Sequence, residues 1–176
     1  HHVIYVPSKA SYECYGQRIR MPKEVIRMNS GNCVEMACLF ASLMEAIHLH
    51  PVIVLRQGHA YVGCWTKEET FSECVVDDIA TVEKYTASGI YDIVLFECTM
   101  SNQETFVPFE QAMAEGQAQL KDDFIMLIDV KRSRGSGIRP FNEIKEQTSS
   151  DAILTARDQE VQDTQVSLDI KQYLRY

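Results

Sequence analysis

One apolar segment, residues 30–48, constrains the fold more than any other part of this sequence. Asn32 is a residue type preferred at helix N-caps, and Glu35 follows it at the spacing of a capping box. Apolar residues then recur every three or four positions, a period that predicts a helix, and they are Met36, Ala37, Phe40, Met44 and Ile47. Because further apolar residues extend this face, we expect the rest of the fold to be built around a buried helix.

The segments that follow predict a sheet. Short runs of apolar residues or of alternating apolar and polar residues are typical of strands, and here they are residues 52–55, 59–65, 92–98 and 124–130. Helices are expected at residues 79–85 and 109–121, the second with an inward face of Phe109, Ala112, Met113 and Leu120. One central helix followed by strands with long connections is typical of the α+β class, with the helix packed on a mainly antiparallel sheet.

The composition is that of a globular chain that can bury its own core. The 176 residues are 45% hydrophobic and 24% charged, and a chain of about 150 residues buries roughly 68–70% of its unfolded surface. The formal net charge of −8 argues against nucleic acid as a direct partner, because phosphate binding requires a basic face. No uncharged apolar run approaches the roughly 18 residues of a membrane span, so we expect no membrane contact and a cytoplasmic location.

The two ends of the sequence differ from its middle. His1 and His2 resemble the remainder of a purification tag, and the sequence from Val3 onward resembles the interior of a longer protein. We expect one domain over residues 3–141. Residues 142–176 are polar and lack Gly and Pro, which predicts helical segments or a linker to a neighbouring domain. Other domains of a longer parent chain are then expected partners.

Six cysteines are present, and no two of them form a Cys-x-x-Cys pair. That spacing is typical of zinc sites and thioredoxin-like redox sites, so its absence weakens both interpretations. We expect most of the cysteines to be reduced, small, buried residues. A zinc site formed by Cys33, His59 and another cysteine stays open as an alternative, and it predicts stoichiometric bound zinc.

Cys33 is placed differently from the other cysteines, at the first position of the predicted helix. Unpaired backbone N–H groups and the helix dipole favour a negative side chain there. Cysteines at helix N-termini have lowered pKa values, and the thiolate is the nucleophile. The preceding Ser30-Gly31-Asn32 permits a tight turn that presents the sulfur at the helix tip. The alternative is a buried apolar cysteine beside a helix cap.

His59 is a candidate base for this thiol. It opens a predicted strand directly after Gly58, where a turn can direct a side chain into a cleft. A thiol enzyme requires a base within hydrogen-bond reach of the sulfur, and a helix–strand–turn–strand path can return residue 59 to the tip of the helix. The alternative is an edge-strand histidine without a catalytic role.

Glu97 is a candidate third member of the site. It lies near the end of an apolar predicted strand, and a carboxylate on a buried face is unfavourable by several kcal/mol without a partner. The end of one antiparallel strand lies beside the start of its neighbour, so Glu97 can hold the imidazole of His59 as in a catalytic triad. The alternatives are a salt bridge from Glu97 to an arginine, or another acid in its place; the arginines are Arg18, Arg20 and Arg56, and the rival acids are Asp77 and Asp78.

Three sequence blocks together resemble the transglutaminase-like thiol enzymes, which share their Cys-His-acid order with papain-like enzymes. The blocks are Gly31-Asn32-Cys33, Gly58-His59-Ala60 and Glu97-Cys98-Thr99. The sequence is most similar to the transglutaminase-like segment embedded in some large bacterial proteins that also carry helicase-type domains. The resemblance covers about residues 5–141 and implies a transglutaminase-like or papain-like core.

The resemblance also implies roles for individual residues. Cys33 is then the nucleophile, His59 the general base and acid, and Glu97 the residue that orients His59, although the superfamily usually has Asp at that position. Gln17 is implied as an oxyanion donor. The implied activity is thiol acyl transfer on a protein or peptide carboxamide, ending in hydrolysis or transamidation, without a cofactor or metal. The alternative function is a non-catalytic protein-interaction module of a larger multidomain protein.

Overall fold

The computed structural model describes residues 3–7, 19–102, 107–121 and 123–140. Within these ranges the helices are α1 (Pro22–Met28), α2 (Cys33–Ala46), α3 (Ile79–Thr86), α4 (Phe109–Ala118) and α5 (Val130–Gly135). The strands are β1 (Ile4–Tyr5), β2 (Ser30–Gly31), β3 (His50–Arg56), β4 (His59–Trp65), β5 (Val75–Val76), β6 (Ile93–Phe96) and β7 (Phe124–Asp129). A short 3₁₀ segment, Cys98–Asn102, follows β6.

Five strands form one antiparallel sheet in the order β5-β7-β3-β4-β6. The central hairpin joins β3 to β4, with Arg56 opposite His59 beside its turn. Gly58 has a φ of 73° in that turn, a left-handed conformation that glycine adopts without a steric penalty. β1 and β2 form a separate parallel pair. The helices and the antiparallel sheet confirm the α+β class.

The predicted central helix is present as α2, and it packs against β3 and β4. Met36, Ala37 and Met44 from the expected apolar face are buried. Ile47 is 67% exposed, contrary to the prediction, because the helix ends at Ala46 and Ile47 lies beyond it. Burial of this face removes large apolar side chains from water, which is the main favourable term in folding.

The strand predicted at 59–65 and the helix predicted at 79–85 are confirmed as β4 and α3. The strand predicted at 92–98 is shorter, because the pairing with β4 stops at Phe96. The next backbone N–H, that of Glu97, bonds instead to the carbonyl oxygen of Ala112 in α4 at 2.9 Å. The chain therefore leaves the sheet one residue before the acid.

The helix predicted at 109–121 is also shorter, since α4 ends at Ala118. Phe109 was expected to face inward but is 53% exposed, at the first residue of the helix. Its ring lies 5.2 Å from that of Phe96. Ala112 and Leu120 are buried as expected.

Short elements escaped the sequence analysis, namely α1, β1, β2, β5 and α5. α1 carries ordinary boundary signals, with Pro22 in its first turn and Asn29 in a left-handed conformation after its end. The two-residue strands carry no detectable periodicity, because an alternating pattern needs at least about four residues to be recognised.

The residues up to Ile138 in the described ranges belong to one compact unit. The predicted boundary at residue 141 and the polar segment 142–176 lie outside the described residues. None of the helices described combines the length and the apolar character needed to cross a membrane. Five cysteines fall within the described ranges, and none of the five is in a disulfide.

A buried carboxylate joins β7 to the aromatic cluster at the other end of β4. Asp129 is fully buried, and its Oδ2 accepts hydrogen bonds from Trp65 Nε1 at 3.0 Å and from the Phe71 N–H at 2.9 Å. Its Oδ1 accepts from the Arg132 N–H at 2.8 Å. The rings of Trp65, Phe71 and Tyr85 pack together around this carboxylate. Both carboxylate oxygens are therefore needed as acceptors.

Replacement of Asp129 by Asn is expected to lower the free energy of unfolding by about 2–3 kcal/mol. The amide has one acceptor oxygen where the carboxylate has two, so a buried donor loses its partner. Asp78→Asn is the matched control, because Asp78 is an exposed N-cap of α3 and Asn caps a helix equally well. Urea unfolding measures both variants, and equal effects would contradict a special role for Asp129.

Candidate active site

Cys33 is the first residue of α2 and is held there by a capping box. Asn32 Oδ1 accepts from the Glu35 N–H, and Glu35 Oε2 accepts from the Asn32 N–H, each at 3.0 Å. Glu35 is 2% exposed, and Arg20 pairs with both of its oxygens, at 2.9 Å and 2.6 Å. The guanidinium offsets the carboxylate charge, so the helix tip stays favourable for an anionic sulfur.

His59 opens β4, and its ring bonds to both other candidate residues. His59 Nε2 lies 2.7 Å from Glu97 Oε2. A side-chain hydrogen bond between His59 and the Cys33 thiol also acts on the pKa of both groups, lowering that of the thiol and raising that of the imidazole. The pairing of β4 with β6 begins only at Val62. The strand edge beside His59 is therefore open for the Glu97 side chain.

Glu97 is 4% exposed and holds its charge with four hydrogen bonds. Its Oε1 accepts from the Thr99 N–H at 2.8 Å and from Thr99 Oγ1 at 2.7 Å. Its Oε2 accepts from His59 and from Gln119 Nε2, the latter at 3.0 Å. The carboxylate is thereby fixed in the orientation that supports the imidazole.

The three residues shift one another's pKa values. Burial raises the pKa of the Cys33 thiol, but hydrogen bonds from His59 and from the Ala60 and Val34 N–H groups outweigh burial and leave it below its ordinary value. The hydrogen bonds with Cys33 and then Glu97 raise the pKa of His59 to about 9. Burial also acts to raise the pKa of Glu97, yet the bonds from His59 and Thr99 leave it lowered. Each shift is in the direction that favours the charged form, namely a thiolate, an imidazolium and a carboxylate.

The other cysteines differ from Cys33 in this respect. Burial raises the pKa of the Cys38 and Cys64 thiols, and it raises that of Cys98 strongly. For Cys64, a hydrogen bond from the backbone of His50 acts to lower the pKa, but burial outweighs it. Among the thiols with a shifted pKa in the described ranges, only that of Cys33 is shifted toward the reactive form.

An open cleft of about 640 Å³ lies beside His59 and Glu97. Arg56 and Gln57 of the β3–β4 turn form one wall, and Glu115 and Gln119 from the C-terminal end of α4 form another. Cys33 does not line this cleft and is 8% exposed. Space for a ligand is therefore found on the imidazole side of the site.

The alternatives left open by the sequence have different outcomes. Arg20 pairs with Glu35 and Arg56 with Asp123, so neither is the partner of Glu97. Asp78 caps α3 instead of approaching His59. Gln17 and Arg18 lie outside the described residues. In the described ranges no group of three or more His, Cys, Asp or Glu side chains is arranged to hold a metal ion.

The side chains that hold the acid and the helix tip were not predicted from the sequence. Gln119 was not considered, because a glutamine at the end of a surface helix carries no signal of its own. Arg20 was considered only as a partner for Glu97. The capping-box spacing of Glu35 was recognised. Glu35 was also expected to lie among apolar residues, and a buried carboxylate there requires a cation as its partner.

No family model matches the sequence, and neither the comparison with curated proteins nor that with solved structures found a match. The site is therefore interpreted from its own geometry and chemistry.

The imidazole of His59 is expected to titrate near pH 9, above the ordinary value of about 6.5. Because this pKa is raised by folding, the associated stabilisation is complete below pH ~6.5 and is lost as the pH rises through about 9. Glu97→Gln removes the carboxylate and should lower the His59 pKa toward the ordinary value. NMR titration of the ring measures it.

Glu115→Gln is the matched control for that titration, because Glu115 lines the same cleft but has no bond to His59. It should leave the His59 pKa within a few tenths of a unit of the wild type. A wild-type ring that titrates near pH 6.5, or equal shifts in the two variants, would contradict the described geometry.

Proposed function

We propose that this protein is a thiol acyl-transfer enzyme that uses Cys33, His59 and Glu97 as a catalytic triad. The observation that carries the proposal is the imidazole of His59, which bonds to the Cys33 thiol on one side and to Glu97 Oε2 on the other. A nucleophile, a base in hydrogen-bond reach and a third group that orients the base are the signature of covalent catalysis.

The fold supports a transglutaminase-like or papain-like core for this proposal. The nucleophile begins a helix packed on an antiparallel sheet, the histidine opens a strand, and the acid follows a later strand. The three residues thus keep the chain order of the resemblance. Glu97 replaces the usual Asp, and its longer side chain reaches His59 at 2.7 Å from a position just beyond β6.

The first half-reaction forms a thioester. The Cys33 thiolate attacks the carbonyl carbon of a carboxamide or peptide, forming the C–S bond and an oxyanion. Protonated His59 then gives its proton to the amide nitrogen, the C–N bond breaks, and the amine leaves. Glu97 stabilises the imidazolium before that transfer and keeps the ring in place.

The second half-reaction releases the acyl group. Neutral His59 takes a proton from water, the oxygen attacks the thioester carbonyl, and the C–S bond breaks to give the acid and the Cys33 thiolate. An amine in place of water gives a new amide. Both half-reactions balance with these side chains alone. Hydrolysis needs one organic substrate site, and we favour it as the basal reaction.

The oxyanion is best placed at the tip of α2. The first N–H groups of a helix have no intrahelical partner and point toward its N-terminal end. They are the donor type that stabilises developing negative charge in acyl transfer. Gln17 remains a proposed second donor, implied by the resemblance.

Iodoacetamide is expected to label Cys33 at pH 6.5 at least tenfold faster than the other thiols. At that pH a thiol of ordinary pKa of about 8.5 is roughly 1% ionised, and the thiolate is the reactive form. The ratio of labelling rates should be smaller than the ratio of thiolate fractions, because a thiolate of lower pKa is a weaker nucleophile. Peptide mass spectrometry with time gives the labelling rate of each cysteine.

His59→Ala should reduce the Cys33 rate to that of the other thiols, and Cys33→Ala should abolish amide turnover. A panel of peptide and glutamine-amide substrates, each with and without an added amine, measures that turnover. The matched control is Cys64→Ala, which removes a thiol outside the site. Equal labelling of all cysteines, or turnover that Cys33→Ala leaves unchanged, would contradict the thiol enzyme. Equal labelling without turnover of any substrate in the wild type would instead support a non-catalytic interaction module.

A further inference from the structure

The open cleft adjoins two of the three triad residues. It is lined by His59 and Glu97 and not by Cys33. In acyl transfer the acyl carbon bonds to sulfur, whereas the amine nitrogen receives its proton from the imidazole. The group attached to that nitrogen therefore extends past His59. The cleft is in the position of the amine half of a substrate.

The charged side chains that line the cleft differ in whether an opposite charge pairs with them. Arg56 pairs with Asp123, its Nε lying 2.9 Å from Asp123 Oδ2. Glu97 is balanced by His59. Glu115 is exposed and receives only a neutral donor, Gln119 Nε2, at 3.1 Å from its Oε1. No cation pairs with Glu115 in the part of the chain that the structure describes.

Gln119 holds this carboxylate beside the triad. Its amide nitrogen donates to Glu97 Oε2 and to Glu115 Oε1, so both of its protons are used. One side chain thus links the acid that orients His59 to the acid that faces the cleft. The negative charge of Glu115 is kept near the path of the amine group.

We propose that Glu115 selects substrates whose amine half carries a positive charge, such as a basic side chain or a diamine. This inference rests on the proposed acyl-transfer function and names the substrate class of the same site. A cation a few ångströms from one exposed carboxylate in water gains enough Coulomb energy for about a fivefold preference. The preference should fall as salt is added, because exposed charges are screened.

Aminolysis of an acetyl-enzyme tests the proposal without a known substrate. p-Nitrophenyl acetate transfers its acetyl group to Cys33, and p-nitrophenolate leaves. An amine then attacks the thioester carbonyl, the C–S bond breaks, and the amine proton passes to the imidazole, giving an N-acetyl amine and free enzyme. Since this step is the reverse of amide cleavage, the incoming amine occupies the site of the leaving amine.

Three amines of matched length differ only in the charge of the distal group. They are 1,5-diaminopentane, 5-aminopentan-1-ol and 5-aminopentanoate, used at pH 8, where an alkyl amine of pKa about 10.4 is protonated. Mass spectrometry measures the amount of each N-acetyl product relative to acetate. Comparison of each amine between wild type and Glu115→Gln cancels its intrinsic reactivity.

Glu115→Gln should lower the yield from diaminopentane about fivefold, leave that from aminopentanol unchanged, and raise that from aminopentanoate. Glu110→Gln is the matched control, because Glu110 is an exposed acid of the same helix that does not line the cleft. It should behave as wild type. The acetylation rate of Cys33 should be the same in all three proteins.

The outcomes separate this proposal from the function on which it rests. If Cys33 is not acetylated, the thiol acyl-transfer function is wrong and the inference falls with it. If Cys33 is acetylated but the three amines keep the same relative yields in Glu115→Gln, only the role of Glu115 is overturned. Acetate as the sole product with every amine would also overturn it. If Glu110→Gln has an equal effect, the preference arises from the net charge of the protein, and a specific role for Glu115 is overturned.

Discussion

The burial of α2 against β3 and β4 determines where the candidate catalytic groups lie. The apolar face of the helix requires the sheet beneath it, and the sheet brings the first residue of β4 beside the first residue of α2. This arrangement requires a helix start that tolerates burial. The capping box supplies it, since Asn32 and Glu35 satisfy each other's backbone N–H groups. Arg20 then compensates the charge of Glu35, whose carboxylate would otherwise be buried at a large cost in solvation.

A second buried carboxylate is stabilised in a different way. Glu35 is paired with a permanent cation, whereas Glu97 faces an imidazole that can lose its charge. Three neutral donors from Thr99 and Gln119 supplement His59. These bonds favour the ionised form of Glu97 whether or not His59 carries a charge. The acid can therefore support both protonation states of His59, which a two-step acyl transfer requires.

Features determined by residues close together in the chain could be predicted from the sequence, whereas features determined by contacts between distant residues could not. The helix start at Cys33 and the strand opened by His59 follow from capping and alternation within a few residues, and both were predicted. Glu97 was recognised as a buried acid in need of a partner, but its strand was predicted to end two residues later than it does. The end of β6 is decided by a backbone bond to Ala112, which lies far along the chain. The contacts of Arg20 and Gln119 were missed for the same reason, because no local pattern records a tertiary hydrogen bond.

The position of the cleft follows from the same tertiary contacts. α4 approaches β6 closely because Gly116 has no side chain, and a Cβ atom at that residue would lie 2.6 Å from the Phe96 Cα. That approach brings the end of α4, with Glu115 and Gln119, to the edge where β6 stops and the Glu97 side chain turns toward His59. A helix that orients the acid therefore also forms a wall of the cleft. The proposed selection of the amine half and the orientation of His59 by Glu97 share this packing contact. We therefore expect a sequence change in α4 to alter the proposed substrate preference without any change at Cys33 or His59.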